Sequence, residues 1–168
     1  IVEISGAVGG PMNTDINGAE FILDVDGDSS ITADTDDQID FKAGGTDRFV
    51  LSSANAKFNV GAYNAEATLT DASTISWDVS TSPVAKVTLG GNRTLGAATN
   101  AQTGQFVSIL FIQDGTGSRT ITFNAAYEHT EDTAPTLTTT ASKGDLFVYR
   151  YNGSKFLEVG RNLNLTLS

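Results

Sequence analysis

The sequence has few of the residues that build covalent or metal-centred sites. None of its 168 residues is a cysteine, and His129 is its single histidine. The chain can therefore form neither disulfides nor cysteine-ligated metal centres, and one imidazole cannot supply a site of several histidines. A Ser-His-Asp arrangement would depend on His129, in a polar segment that we expect to be a surface loop, and no G-x-S-x-G motif is present. We expect no enzyme, no catalytic residues and no cofactor.

Basic residues are also scarce. The chain has 10 Lys and Arg against 20 Asp and Glu, for a formal net charge of -10. Nucleic acids and anionic membrane surfaces are bound through clustered Lys and Arg, so we expect neither partner. No apolar run reaches the length of about 18 residues that a membrane-spanning helix needs, so membrane insertion is not expected either.

Small and turn-forming residues are abundant. The chain has 17 glycines and many Thr, Ser, Asn and Asp residues, while its apolar residues form short runs without a sustained 3.6-residue period. This composition is typical of many short strands joined by tight turns. The sequence therefore predicts an all-β protein.

Charge and apolar residues divide the chain into two regions. Residues 1–60 contain eleven carboxylates and three basic residues, which accounts for -8 of the net charge of -10. The rest of the chain is nearly neutral. We predict an acidic region of short strands over residues 1–62 and a compact β-sandwich of jelly-roll-like type over residues 63–168.

The first region has too few apolar residues to form a core alone. They occur in small islands whose first members are eight to ten residues apart, the spacing of short strands and turns. Ordering the backbone costs roughly 1–2 kcal/mol per residue, which these islands cannot offset within one chain. We expect the region to complete its core with copies of itself, through Phe21, Leu23, Ile31, Ile39, Phe41, Phe49 and Leu51.

Two hairpins are predicted in the second region. Residues 106–112 are apolar on both faces, as in a strand covered on two sides, and an Asp-Gly-Thr-Gly segment would turn them into the strand 119–123. Asn152-Gly153 would form a two-residue turn that places Tyr149 opposite Phe156 and Arg150 opposite Lys155.

An acidic motif suggests one metal site. Asp24, Asp26 and Asp28 alternate as in the start of an EF-hand calcium loop, but Ser29 replaces the usual glycine and Thr35 the final glutamate. The motif is either a weak Ca²⁺ site or a solvated Asp turn.

Aromatic residues of the second region are candidates for sugar contact. Exposed aromatic rings can bind glycans through their apolar faces, and the same residues could equally be ordinary strand packing. The candidates are Trp77, Tyr127, Tyr149 and Tyr151.

Two stretches resemble a known family. DVDGDSSITADTDDQIDFKAGGTDRFVLSS (24–53) resembles a segment that recurs in tail fibres and related virion appendage proteins of tailed bacteriophages. GQFVSILFIQDGTGSRTITF (104–123) and YRYNGSKFLEVG (149–160) are similar to the β-rich terminal domains of such proteins.

The resemblance implies a homotrimeric, intertwined fibre or spike on the virion, non-enzymatic and contributing to host attachment. Its partners would be other virion proteins and a host surface glycan. Residues 1–62 would act as a trimerisation, shaft or anchor region, with the apolar islands as the trimer core. Two alternatives stay open at this point. One is a capsid or head fibre, decoration or baseplate adaptor that docks on another virion protein, and the other is a fragment of a polysaccharide-degrading tailspike.

Overall fold

The computed structural model describes residues 20–168, which form β-strands, turns and loops. The all-β prediction is confirmed. The chain divides into two compact units between Tyr63 and Asn64. Residues 1–19 of the predicted N-terminal region lie outside the described residues. Within the described part, no helix has the length and apolar character needed to cross a membrane.

Over the described residues 20–63, the first unit forms a five-stranded antiparallel sheet in which each strand pairs with the next along the chain. The tightest connection is the two-residue turn between β3 and β4, where Gly44 and Gly45 have φ of 60° and 66°. Type I′ hairpin turns require positive φ at both central positions, which explains the glycine pair. The strands are β1 (Phe21–Ile22), β2 (Ser30–Thr32), β3 (Gln38–Ala43), β4 (Thr46–Ser52) and β5 (Ala56–Phe58).

In this sheet the polar face is buried and the apolar face is exposed, which is the reverse of an ordinary sheet. Along β3, Ile39 and Phe41 are exposed, whereas Asp40 between them is buried. On β2, Ser30 and Thr32 are buried on the same face as Asp40. Since side chains alternate between faces, the apolar face is the more exposed one and the polar face is the covered one.

The second unit contains nine strands in two sheets. One sheet has six strands in the order β12-β14-β13-β10-β8-β6, and the other has three in the order β11-β9-β7. The strands are β6 (Ala67–Thr68), β7 (Thr74–Ile75), β8 (Val84–Leu89), β9 (Arg93–Leu95), β10 (Phe106–Gln113), β11 (Ile121–Phe123), β12 (Tyr127–Glu128), β13 (Lys143–Tyr151) and β14 (Phe156–Thr166).

From β6 to β11 the chain coils, visiting the two sheets in turn. Strands β6, β8 and β10 are parallel neighbours in the larger sheet, and β7, β9 and β11 are parallel neighbours in the smaller one. The hairpin predicted over 106–123 is therefore wrong, because β11 pairs with β9 in the other sheet. The antiparallel pairing of the larger sheet comes from the hairpin of β13 and β14, with β13 also bordering β10.

Side-chain hydrogen bonds cause the chain to change sheets after β10. The Gln113 amide donates to the Arg119 carbonyl, and its oxygen accepts from the Arg119 backbone N–H. Asp114 Oδ1 accepts from the backbone N–H groups of Thr116 and Gly117, and its Oδ2 accepts from both Nε and Nη2 of Arg119. These contacts satisfy the loop backbone without a ladder between β10 and β11.

The hairpin of β13 and β14 exists, but in a register different from the predicted one. Tyr151 pairs with Phe156 and Arg150 with Leu157, so the central turn residues are Gly153 and Ser154. Gly153 has φ of 99°, and Asn152 uses its side-chain oxygen to accept from the backbone N–H groups of Ser154 and Lys155. The asparagine therefore caps the turn from its first position, and the expected opposition of Arg150 and Lys155 does not occur.

The core of the second unit lies between its two sheets. Val107, Ile109 and Phe111 alternate into it from β10, while Leu110 and Ile112 on the other face are half-buried. β10 is a central strand, as expected, but only its inner face is fully covered. The remaining buried hydrophobic residues are Ile75, Trp77, Val79, Ala85, Val87, Leu89, Leu95, Tyr127, Leu137, Phe147, Tyr149 and Phe156.

Candidate functional site

A continuous apolar row crosses the exposed face of the first unit. The strand register places five residues opposite one another in sequence, one from each strand. The ring centroids of Phe41 and Phe49 are 5.4 Å apart, and those of Phe49 and Phe58 are 4.9 Å apart. The row consists of Phe21, Ile31, Phe41, Phe49 and Phe58.

A second apolar pair lies beside this row. Ile39 and Leu51 are opposite each other, two residues from Phe41 and Phe49 on the same strands. Phe41 is 39% exposed and Phe58 is 58% exposed, although both belong to an ordered sheet. We name this surface the apolar face and define it by the five residues of the row with Ile39 and Leu51. Contiguous apolar surface of this kind marks a site of interaction.

Sequence reasoning found most of the apolar face. Six of the seven residues predicted to form the trimer core lie on it, whereas Leu23 follows β1 and its backbone N–H donates to the Ser29 carbonyl. Phe58 was missed as a member, although it continues the eight-to-ten-residue spacing of the apolar islands.

The three aspartates of the predicted metal loop lie together on the surface. One carboxylate oxygen from each of Asp24, Asp26 and Asp28 lies within 4.8 Å of the others, and all three residues are exposed. Asp24 accepts from the backbone N–H groups of Gly27 and Ser29, and hydrogen bonding to Ser29 lowers the pKa of its carboxyl. Because the loop already satisfies Asp24 internally, a cation there stays a prediction.

Three of the four candidate glycan contacts lie in the core of the second unit. Trp77 is 1% exposed and donates its indole N–H to the Ser82 carbonyl at 2.7 Å. Tyr127 donates to the Gly96 carbonyl at 3.0 Å, and the Tyr149 hydroxyl is also buried. Burial raises the pKa of both tyrosines above the usual range.

This burial corrects the glycan expectation for Trp77, Tyr127 and Tyr149. All three belong to the hydrophobic core of the second unit, where an aromatic ring contributes most to stability. Tyr151 is half-buried, with its ring 4.8 Å from that of Phe156. Of the four, Tyr151 retains the most accessible ring.

His129 is part of the core edge, not of a polar surface loop as its neighbours suggested. It is 8% exposed, its Nε2 lies 3.1 Å from the Tyr149 hydroxyl, and its ring centroid lies 4.7 Å from that of Phe123. Burial lowers the pKa of the imidazole, while the nearby Glu158 opposes the shift and Arg161 adds to it. His129 is therefore held as a neutral packing residue at neutral pH.

Ion pairs brace the loops of the second unit. Asp71 forms a bidentate pair with Arg93 at 2.7 and 2.8 Å and also accepts from the Gly90 backbone N–H. Hydrogen bonding to Arg119 lowers the pKa of Asp114 to about 2. These two ion pairs fix loops between the strands of the second unit, so a structural role explains why their charges lie close together.

A model of a known family matches part of the second unit. Residues 68–155 match a family model described as "Putative phage tail fibre C-terminal domain". The matched segment covers just over half of the chain and lies wholly within the second unit. No curated protein and no solved structure matches the chain.

Proposed function

Because the chain belongs to the family of phage tail fibre C-terminal domains, we propose that it forms a homotrimeric fibre component that contributes to host attachment. The family makes the protein a structural component of a virion tail appendage. Such a component associates with other virion proteins. Trimer formation and host attachment are the parts that the proposal adds.

The apolar face carries the trimer proposal. A single chain leaves Phe21, Phe41 and Phe58 exposed on one side of a five-stranded sheet. Burying such a side chain fully stabilises by about 1.5–3 kcal/mol. If three copies turn these faces toward a common axis, each copy gains this free energy for several side chains. The same arrangement lets neighbouring copies cover the sheet edges at β1 and β5, which would otherwise be open to aggregation.

The second unit supports the attachment proposal because it has a core of its own and leaves loop residues exposed. Its aromatic and aliphatic residues are buried between its own sheets. Residues 130–134 are exposed between the buried residues His129 and Pro135. Loops carried on a rigid scaffold are the usual place for recognition, so we assign receptor contact to this segment. Tyr151, whose backbone bonds to Gly104 and Gln105, is a separate aromatic candidate.

Mass measurement of the intact chain tests the trimer. Light scattering after size exclusion should give three times the chain mass of 17.6 kDa for the wild type. The double substitution Ile39→Ser and Phe41→Ser should abolish trimers, because it puts hydroxyls in the middle of the apolar face. Val25→Ser is the matched control, since Val25 is fully exposed in the aspartate loop, away from the apolar face. A folded wild-type monomer would refute the trimer.

Adsorption competition tests attachment separately. Purified trimer added in excess to cells of the phage's host should slow phage adsorption, and the effect should decrease when residues 130–134 are replaced by a Gly-Ser loop of equal length. An intact trimer that binds no cells and leaves adsorption unchanged would remove host attachment from the proposal while leaving the fibre role in place.

A further inference from the structure

Arg150 is the one basic residue of the second unit that has no partner among the described residues. It is exposed on β13 and forms neither an ion pair nor a side-chain hydrogen bond with them. The other basic side chains of residues 64–168 are engaged: Lys86, Arg93, Arg119, Lys155 and Arg161 pair with carboxylates, and Lys143 donates to the Thr166 hydroxyl. The guanidinium of Arg150 is therefore available to a negatively charged group.

Two apolar side chains flank Arg150 on the outer face of the larger sheet. Arg150 points away from the core because its neighbour Tyr149 is buried there. The strand register sets Phe106 of β10 opposite Arg150 on one side and Leu157 of β14 opposite it on the other. Directly opposite residues have Cβ atoms about 4.5–5.5 Å apart, so the three side chains are adjacent. We name Phe106, Arg150 and Leu157 the arginine patch.

Phe106 gives the arginine patch an exposed aromatic ring. Its side chain is 59% exposed, whereas the next residue of β10, Val107, lies in the core. An exposed ring presents an apolar face on which the C–H groups of a sugar ring can pack. Leu157 is half-buried and extends the apolar surface on the other side of Arg150. The patch therefore combines a planar cation with apolar surface on both sides.

The charge around the arginine patch favours one isolated anion as the ligand. The neighbouring sheet positions on this face are uncharged, namely Ser108, Val148 and Gly160. In the same row, Glu128 of β12 lies beyond Leu157 and pairs with Lys155. A single guanidinium does not fit nucleic acid, which is bound through clustered Lys and Arg. It fits one carboxylate or phosphate, which Arg binds through two parallel hydrogen bonds.

We propose that the arginine patch binds an acidic sugar, with its carboxylate or phosphate on Arg150 and its ring packed against Phe106. This role of the patch rests on the proposed attachment function, and it specifies the host glycan as an anionic one. Glu128, in the same row as the patch, lies two residues before the attachment segment 130–134. Two strand spacings, about 9–10 Å, separate Arg150 from Glu128, so one oligosaccharide can contact both the patch and the segment.

Glycan binding by the purified full chain tests the patch. The probes are immobilised uronic-acid, sialylated and phosphorylated oligosaccharides, each beside its neutral counterpart, and binding is followed by biolayer interferometry. The wild type should bind acidic probes and not their neutral counterparts, and the binding should weaken as NaCl is added, because salt screens the exposed guanidinium. The uronic-acid and phosphorylated probes distinguish a carboxylate from a phosphate as the bound group.

Variants of the patch separate charge, geometry and apolar contact. Arg150→Gln should lower the affinity about tenfold or more, because it removes the charged partner of the sugar acid. Arg150→Lys keeps the charge but loses the planar fork, so its affinity should fall between those of the wild type and Arg150→Gln. Phe106→Ala should weaken binding of every acidic probe. Lys57→Gln is the matched control, since it removes an exposed positive charge from the first unit.

Because Arg150 and Phe106 are exposed, their variants should keep the wild-type melting temperature. No binding of any acidic probe, equal binding of the neutral counterparts, or wild-type affinity in Arg150→Gln would each overturn the proposal. The adsorption assay distinguishes this failure from failure of attachment. A chain that binds acidic sugars but leaves phage adsorption unchanged would refute host attachment and retain the patch. A chain that slows adsorption but binds no acidic probe would refute the patch and retain attachment.

Discussion

The two units treat their apolar residues in opposite ways. The second unit buries Trp77, Phe111 and Phe147 between two sheets, and its exposed loops are polar and held by ion pairs. The first unit exposes Phe41 and Phe58 and buries Asp40 instead. Both units consist mainly of short strands, so they differ in whether their apolar residues are buried within the unit itself.

This difference separates stability within the chain from stability through assembly. A unit with its own core can unfold and refold independently of chain concentration, whereas a sheet that exposes its apolar face gains that burial only from another surface. The second unit is therefore suited to present loops, and the first to join copies. The following predictions test this division, beginning with the largest effect.

Truncation of matched phenylalanines should give the clearest contrast. Phe147→Ala should destabilise the second unit by about 3–5 kcal/mol at every chain concentration, because it leaves a cavity in a packed core. Phe41→Ala should act chiefly by weakening assembly, so its effect should grow as the chain is diluted. Urea unfolding at several concentrations measures both. Equal, concentration-independent losses would contradict the division.

Mild acid should weaken the second unit through His129. Its pKa is lowered in the folded state by burial, so the unfolded chain binds the proton more readily. The contribution of neutral His129 to stability should be fully present above about pH 6.5, the ordinary histidine pKa, and should decrease as the pH falls below it. His129→Gln should flatten this part of the profile, measured by urea midpoints from pH 8 to 5. An unchanged slope in the variant would show that other groups cause it.

Strong acid should release the loop at Asp114. The pKa of this carboxyl is lowered to about 2, mainly by Arg119, so its contribution is present above pH 4 and disappears as the pH falls toward 2. We expect Asp114→Asn to reduce the loss of thermal stability between pH 4 and pH 2. Asp26→Asn, in the exposed loop of the first unit, is the control. A wild-type profile retained in Asp114→Asn would exclude this contribution.

Salt should have the smallest effect, and it should favour assembly. The net charge of -10 becomes roughly -30 in a trimer, and most of it belongs to the first 60 residues. Raising the ionic strength shortens the screening length from about 10 Å at 0.1 M, so repulsion between copies decreases. Sedimentation equilibrium at 50 and 500 mM NaCl should show tighter trimers at high salt. No change would mean that the acidic groups of neighbouring copies lie far apart.

Local sequence patterns predicted where strands and turns occur better than they predicted which strands pair. The apolar islands of the first unit became strands, and the Asn152-Gly153 segment became a turn. The turn register was wrong because Asn152 caps the turn with its side chain instead of occupying a central position. The hairpin over 106–123 was wrong because Gln113 and Asp114 satisfy the loop backbone and release β11 to another sheet.

Aromatic residues could not be assigned to surface or core from sequence alone. Tyr127 and Tyr149 lie on strands, where a period of two indicates that one face is buried without indicating which. The polar group of Ser30, Thr32 and Asp40 was missed for the same reason. A buried face rich in hydroxyls and a carboxylate has the pattern of a solvent-facing one.

The sequence alone determined the β-strand content, the acidic first region and the absence of thiol chemistry, since these depend on composition and on contacts between near neighbours. The tertiary structure decided which strands pair across 20 or more residues, which face of the first sheet is covered, and that His129 lies in the core. These outcomes depend on the summed burial of residues distant in the chain, which local propensity does not encode.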